Sequence, residues 1–284
     1  MLWQSGMLKR SLQGPGFWLV NYHRISPPQP GGIVYPPYFD LCTHPQRFEE
    51  HLQFYKNYFR VLSLTDALKA KPTDKPHLVI SLDDGYADNY QFAYPLLKQY
   101  NCPAIIYVVT QGLEGKELLW DNQIFYSLQK SGSKNVTDFF NKTCNLHLHE
   151  ANPPDHICKN VFDFLTEGIS SHQKRLEIIH DLVEETQTQA PEELISSYYL
   201  KPEQLMEMAQ HNIEIGSHTC THALLGSSTE GEIKEELEQS KKFLKRYLGN
   251  PSITFAIPVE ITMIKPGKSH NGLGIKVLLQ PMPG

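Results

Sequence analysis

Apolar runs of strand length alternate along this chain with stretches of helical spacing. Residues Phe17–Tyr22 (FWLVNY), 60–64, 78–82, 104–109 (AIIYVV), 213–215 and 252–257 read as strands. Between them, residues 46–58 carry Phe48, Leu52 and Tyr55 at helical intervals, and residues 89–100 carry Phe92, Leu96 and Leu97. Residues 202–210 open with a proline, as first helical turns often do. Thr229-Glu-Gly-Glu232 is a capping-box pattern ahead of an amphipathic helix bearing Ile233, Leu237, Leu244 and Leu248, which Gly249 ends. Strands apolar on both faces suit a parallel sheet covered by helices. The pattern therefore predicts an α/β fold. The rhythm pauses over residues 112–200, a polar, helical stretch in which Leu176, Ile179, Leu182 and Val183 mark one helix. It reads as an insertion within a single domain.

Composition narrows the partners more than the fold. The chain has 284 residues, 40% hydrophobic and 20% charged, an ordinary globular balance. Its net charge of −5 leaves no basic excess to neutralise phosphates, which argues against nucleic acid as a partner. Five cysteines at irregular spacing, with no CxxC pair, suggest neither a disulfide framework nor a cysteine zinc site. No stretch approaches the roughly 20 apolar residues of a membrane span. Near the start, Lys9 and Arg10 precede Gln13-Gly14-Pro15-Gly16, which interrupts what would be a leader's apolar region. The expectation is a cytoplasmic protein.

In parallel α/β folds ligands bind beyond the carboxyl ends of strands. Three stretches sit at such ends: Asp83-Asp84-Gly85, Gly216 to His222 (GSHTCTH), and Phe255 to Pro258 (FAIP). Tyr22-His23-Arg24 closes the first strand. Two neighbouring carboxylates at the end of a buried strand repel one another and lose hydration, so a positive charge should hold them. His218 and His222 are four apart; on a helical turn both imidazoles would share one face and chelate a divalent cation together with one carboxylate. The two aspartates can divide the work, one on the cation and one facing a substrate cavity, because successive strand residues point opposite ways. Taken singly, a histidine pair or an Asp-Asp-Gly turn is an ordinary surface feature. Together, each behind a buried strand, they point to a site. Cys220 reads as packing, His147 and His149 as exposed, residues 230–246 as a solvated helix face, and Tyr35, Tyr38 and Phe39 as loop packing.

At these residues the sequence resembles the polysaccharide deacetylases, carbohydrate esterase family 4, which share the NodB-homology domain. Ser81-Leu82-Asp83-Asp84-Gly85 is similar to the family's first motif and His218-Thr219-Cys220-Thr221-His222 to its second; "NYHRI", residues 21–25, also looks like the family. The resemblance implies a distorted (β/α) barrel of about six to seven parallel strands. It implies Asp83 as general base, with Asp84, His218 and His222 as ligands of a divalent metal, zinc foremost and cobalt as an alternative. His23 is a candidate substrate contact. The implied reaction removes an acetyl group from an N-acetylated saccharide. The third motif departs: Phe255-Ala256-Ile257-Pro258-Val259-Glu260 has isoleucine for tyrosine and glutamate for glycine. The family's histidine acid has no counterpart here, and His270 is a poor substitute. Residues 259–284 read as a divergent tail, with 275–280 as a possible last strand. An impaired saccharide-binding protein that keeps the metal is therefore the alternative expectation.

Overall fold

A computed structural model describes residues 16–27, 32–36, 41–71, 73, 75–249, 254–256 and 275–278. The chain opens with β1 (Phe17–Tyr22), β2 (Arg24–Ile25) and β3 (Cys42–Thr43). There follow α1 (Pro45–Tyr58), β4 (Arg60–Val61), α2 (Leu64–Lys69), β5 (His77–Leu82), α3 (Tyr94–Gln99) and β6 (Ala104–Val108). Between β6 and β7 (Ile213–Ser217) lie α4 (Trp120–Cys144), α5 (Pro154–Asp163), α6 (His172–Thr186), α7 (Glu192–Tyr198) and α8 (Pro202–Ala209); α9 (Glu230–Leu248) and β8 (Ile275–Leu278) complete the order.

The sheet runs β7-β6-β5-β1-β8, with every pairing parallel. β4 pairs with the first two residues of β5, and β6 with its last two, so the two neighbours share one edge of β5. Beyond β7, Phe255 forms a parallel bridge to Ser217. Pairings thus run in sequence order from β1 through β5, β6 and β7 to Phe255, while β8 returns to β1. The sequence expectation is a distorted barrel. Its closing edge, between residue 256 and β8, falls outside the described residues, as do His270 and residues 257–260. What is shown is a parallel α/β sheet.

Every residue of β5 and β6 is buried. Leu78, Ile80, Leu82, Ile106 and Val108 pack under α1, α3, α8 and α9 with Phe48, Leu52, Leu97, Leu205 and Leu244, whereas Val79, Ile105 and Tyr107 form a smaller cluster on the opposite face. The alternation is the two-residue period of a strand buried on both sides. Residues 112–200 carry an apolar core of their own, including Trp120, Phe125, Phe140, Ile157, Val161, Ile179 and Leu182. Tyr86 and Val109, from the loops after β5 and β6, belong to that core, so it sits directly over the carboxyl ends of the strands.

Two elements differ from the sequence expectation. The strand expected over 60–64 is only Arg60–Val61, because Ser63 accepts a hydrogen bond from the Asp66 amide and starts α2. The helix expected over 89–100 begins as a wide π turn, Asn89–Ala93, before α3. Pro95 has no amide hydrogen to give and its ring crowds the preceding turn, which accommodates it by widening; the Tyr94 amide bonds back to the Asn89 carbonyl. Within the insertion, α4 is broken at Gly132, whose φ of 83° and ψ of 166° lie outside the helical region.

Candidate metal centre

The first site segment is built by a turn that leaves β5. The Asp83 amide still donates to the Tyr22 carbonyl on β1 at 2.8 Å. Asp84 and Gly85 then take φ values of 72° and 77°. Aspartate tolerates this left-handed region better than most side chains. Gly85 is required there on a second count: a Cβ would lie 2.9 Å from Cγ1 of Val108. The two carboxylates separate as a result. Asp83 accepts a 2.7 Å hydrogen bond from Asn21 Nδ2, whose own Oδ1 accepts from the Ser81 hydroxyl at 2.8 Å. Asp84 is buried, and its Oδ1 has no hydrogen-bond partner among the described residues.

The second segment follows β7. It is not the helical turn that the four-residue spacing suggested. Thr219 and His222 have φ of 72° and 61°, and the chain forms an irregular loop that folds back on itself. Its shape comes from hydrogen bonds that a helix would not leave room for. The His218 amide donates to Val108 at 2.9 Å, and the Cys220 and Thr221 amides donate to Glu236 Oε2 at 2.7 and 2.9 Å. The Thr221 hydroxyl donates to Glu236 Oε1 at 2.6 Å. Glu236 and Ser240 lie on a buried stripe of α9, so residues 230–246 are not a solvated face throughout. The stripe Glu236, Ser240, Leu244 runs at helical intervals; a polar residue on it was the available signal. Glycine at 216 lets the bridging strand come close, since a Cβ there would sit 2.8 Å from the Thr254 carbonyl.

The loop and the turn meet. His218 Nε2 and His222 Nε2 lie 3.6 and 3.4 Å from Asp84 Oδ1, and the three ligand atoms all fall within 4.8 Å of one another. Each imidazole has its other nitrogen near an acceptor. His218 Nδ1 bonds to the Ala256 carbonyl at 3.1 Å, and His222 Nδ1 lies 3.4 Å from Asp121 Oδ2 on the first turn of α4. A carbonyl and a carboxylate only accept, so each Nδ1 presents its N–H to its neighbour and each Nε2 is the atom turned toward Asp84. Two imidazoles and one carboxylate, with a buried carboxylate oxygen otherwise unsatisfied, form a donor set that suits zinc. Among the described residues this is the group of that kind.

The charges agree with the geometry. Burial acts to raise the Asp84 carboxyl, but His222, His23 and His218, with a hydrogen bond from the Tyr86 hydroxyl, hold it below its ordinary value. Burial lowers His218, against the opposing pull of Asp83. Burial acts to lower His222 as well, yet Asp121 and Asp84 outweigh it and lift the group to about 9. His23 stands beside this cluster. Its ring acts on Asp84, its Nδ1 is buried without a hydrogen-bond partner among the described residues, and its carbonyl accepts from Asn89. Of the expected site residues the fold brings Asp84, His218 and His222 together, with Asp83 and His23 at the rim. Asp121, Glu236 and Asn21 were not expected from the sequence. His147 and His149 are exposed, as expected, and Tyr35 packs against Phe125 with ring centroids 5.0 Å apart. Tyr38 and Phe39 lie outside the described residues.

The sequence model of the polysaccharide deacetylase family matches residues 70–261. The chain belongs to that family. The match takes in both carboxylates, both histidines, Asp121 and the insertion. A curated relative, YxkH of Bacillus subtilis (strain 168), named as a polysaccharide deacetylase, is 34% identical over 85 residues. That alignment spans 28% of this chain and 30% of the relative. Among solved structures, the Streptococcus pyogenes deacetylase PplD, determined in complex with acetate, superposes with a TM-score of 0.51 at 18% identity, covering 86% of this chain and 74% of PplD. IcaB from Ammonifex degensii gives a TM-score of 0.50 at 15% identity over 87% of this chain and 75% of IcaB. These two share the fold of the family member described here.

Proposed function

We propose that this chain is a metal-dependent hydrolase that removes the acetyl group of an N-acetylated saccharide. The observation that carries the reading is the buried Asp84 oxygen, without a hydrogen-bond partner among the described residues, facing the Nε2 atoms of two imidazoles. In this reading Asp84, His218 and His222 hold zinc or, in its place, cobalt. When bound, the cation supplies Lewis-acid activation of water and of the acetyl carbonyl.

The chain's own groups do the rest. Asp83 is the general base. Asn21 fixes its Oδ2, which orients the carboxylate and leaves Oδ1 as the proton acceptor. Against burial, which acts to protonate it, the neighbouring imidazoles and the Tyr86 hydroxyl keep Asp84 anionic at neutral pH, as a ligand must be. His23, at the rim beside Asp84, is read as a contact for the saccharide. We read the chain as one deacetylase domain, with residues 112–200 as an insertion that roofs the site and residues 259–284 as a divergent tail.

Acetate release from N-acetylglucosamine oligomers, measured with zinc or cobalt added, tests the activity. Asp83→Asn should lower turnover by about 10²–10⁴-fold, the usual worth of a general base, while binding zinc as well as the wild type. His218→Ala should lose the zinc. Full turnover in Asp83→Asn removes the base from that residue, and no release by the zinc-loaded wild type removes the reaction.

A further inference from the structure

The helical insertion reaches the candidate metal centre at one helix end. Trp120 and Asp121 begin α4, and both touch His222. Trp120 Nε1 donates to the His222 carbonyl at 3.0 Å, and its indole lies 6.4 Å from the imidazole, centroid to centroid. Asp121 Oδ2 lies 3.4 Å from His222 Nδ1. That is ion-pair distance rather than a hydrogen bond, and His222 Nδ1 has no hydrogen-bond partner among the described residues. Both side chains are largely buried, at 15% exposure each. His218 differs. Its Nδ1 is held by a backbone carbonyl, which no substitution removes. The orientation of His222 therefore depends on a side chain, and that side chain comes from outside the two sequence motifs.

From this geometry we infer that Asp121 is the positioning residue of the metal centre: it fixes the ring and the tautomer of His222 so that Nε2 faces Asp84. The inference rests on the reading of Asp84, His218 and His222 as metal ligands. A ligating histidine whose second nitrogen meets a carboxylate is both oriented and made a stronger donor, and loss of such a partner weakens metal binding by about 10–100-fold. Asparagine at this position keeps the size of the side chain but brings an amide that can present its N–H₂ to Nδ1. It would then favour the tautomer with hydrogen on Nε2, which cannot ligate. Asp121 touches neither substrate nor the reacting atoms; it acts through His222.

Zinc affinity, measured by competition with a chromophoric chelator, gives the readout without turnover. Asp121→Asn should bind zinc about 10–100-fold more weakly than the wild type, with the cobalt-loaded protein showing an altered visible spectrum, and Asp121→Glu should recover part of the affinity. In a His222→Ala background, Asp121→Asn should cost nothing further, because its route is through that ring. The inference is overturned if Asp121→Asn keeps wild-type affinity and spectrum, or if it weakens zinc equally in the His222→Ala background. Should Asp121→Asn lose its cooperative melting transition, Asp121→Ala with its fold intact decides: affinity at the wild-type level together with an unchanged cobalt spectrum also overturns the inference. A wild-type protein that binds no zinc would instead overturn the metal reading beneath it. Weakened zinc in Asp121→Asn stands whether or not acetate is released.

Discussion

Asn21 is a single polar side chain on an otherwise apolar strand, and what it does is visible only in three dimensions. It sits across from Ser81 in the β1–β5 register, takes that hydroxyl on its carbonyl oxygen, and gives its amide to Asp83. A hydrogen bond to a charged acceptor is worth about 1.5–3 kcal/mol. If only about 1.4 kcal/mol of that orients the base for proton transfer, Asn21→Ala should lower kcat about tenfold, leave zinc affinity unchanged, and leave Asp84 where it is. Equal kcat in the variant would mean that Asp83 needs no tether. The motifs themselves were legible in the sequence, because Asp83, Asp84, His218 and His222 are chemically conspicuous at the ends of apolar runs. Their partners were not. Asn21, Asp121 and Glu236 lie 62, 101 and 15 or more positions from the groups they serve, a separation across which periodicity carries no information. The helical-turn reading of His218 and His222 failed for a similar reason. Glu236 satisfies the loop amides from another helix, so the backbone need not form a helix to satisfy them itself.

The helices that carry these partners were read well where caps announce them. Thr229 and Glu232 form the expected capping box at the start of α9. Glu232 does a second thing that no local pattern shows: its Oε1 accepts from Ser171 and from the Gln173 amide, at the start of α6. Burial acts to raise its carboxyl, but the amides of Gln173 and Thr229 and the hydroxyls around it outweigh that, and hold it at about 2 against an ordinary 4.5. A carboxylate depressed on folding contributes stability that is complete above the unfolded value and is lost as pH falls toward the folded one. The stability added by Glu232 should therefore be full above about pH 4.5 and fade between there and about pH 2. Glu232→Ala should cost about 1–2 kcal/mol at pH 7, in the range for a lost cap, and the gap between variant and wild type in urea melts should narrow as pH falls through that window. A gap independent of pH would assign the effect to packing. Where a helix was misread, at residues 89–93, the cause was a proline whose effect depends on backbone geometry rather than on spacing.

At the scale of the molecule, the proposed cation would join parts of the chain that the fold brings together from far apart: the turn after β5, the loop after β7, and through their partners the Ala256 carbonyl and the first turn of α4. The large core beneath the helices and the core of the insertion both end at this junction, since Leu200 belongs to the first and Tyr86 and Tyr199 to the second. Such a site exists only in the folded state. A cation that binds the folded chain and not the unfolded one stabilises it by RT ln(1 + [L]/Kd), about 2.7 kcal/mol at a hundredfold excess over Kd. For a chain somewhat longer than 250 residues, each kcal/mol shifts Tm by about 2–4 °C, so saturating zinc should raise Tm by about 5–11 °C. The shift should reverse on adding a chelator and vanish in His218→Ala. Because Asp84 is a buried carboxylate whose Oδ1 lacks a partner, and two imidazoles face it, the metal-free protein should also melt over a broader range than the zinc form. A Tm that does not change when a chelator strips metal that elemental analysis had shown to be bound would put the cation somewhere other than between Asp84, His218 and His222.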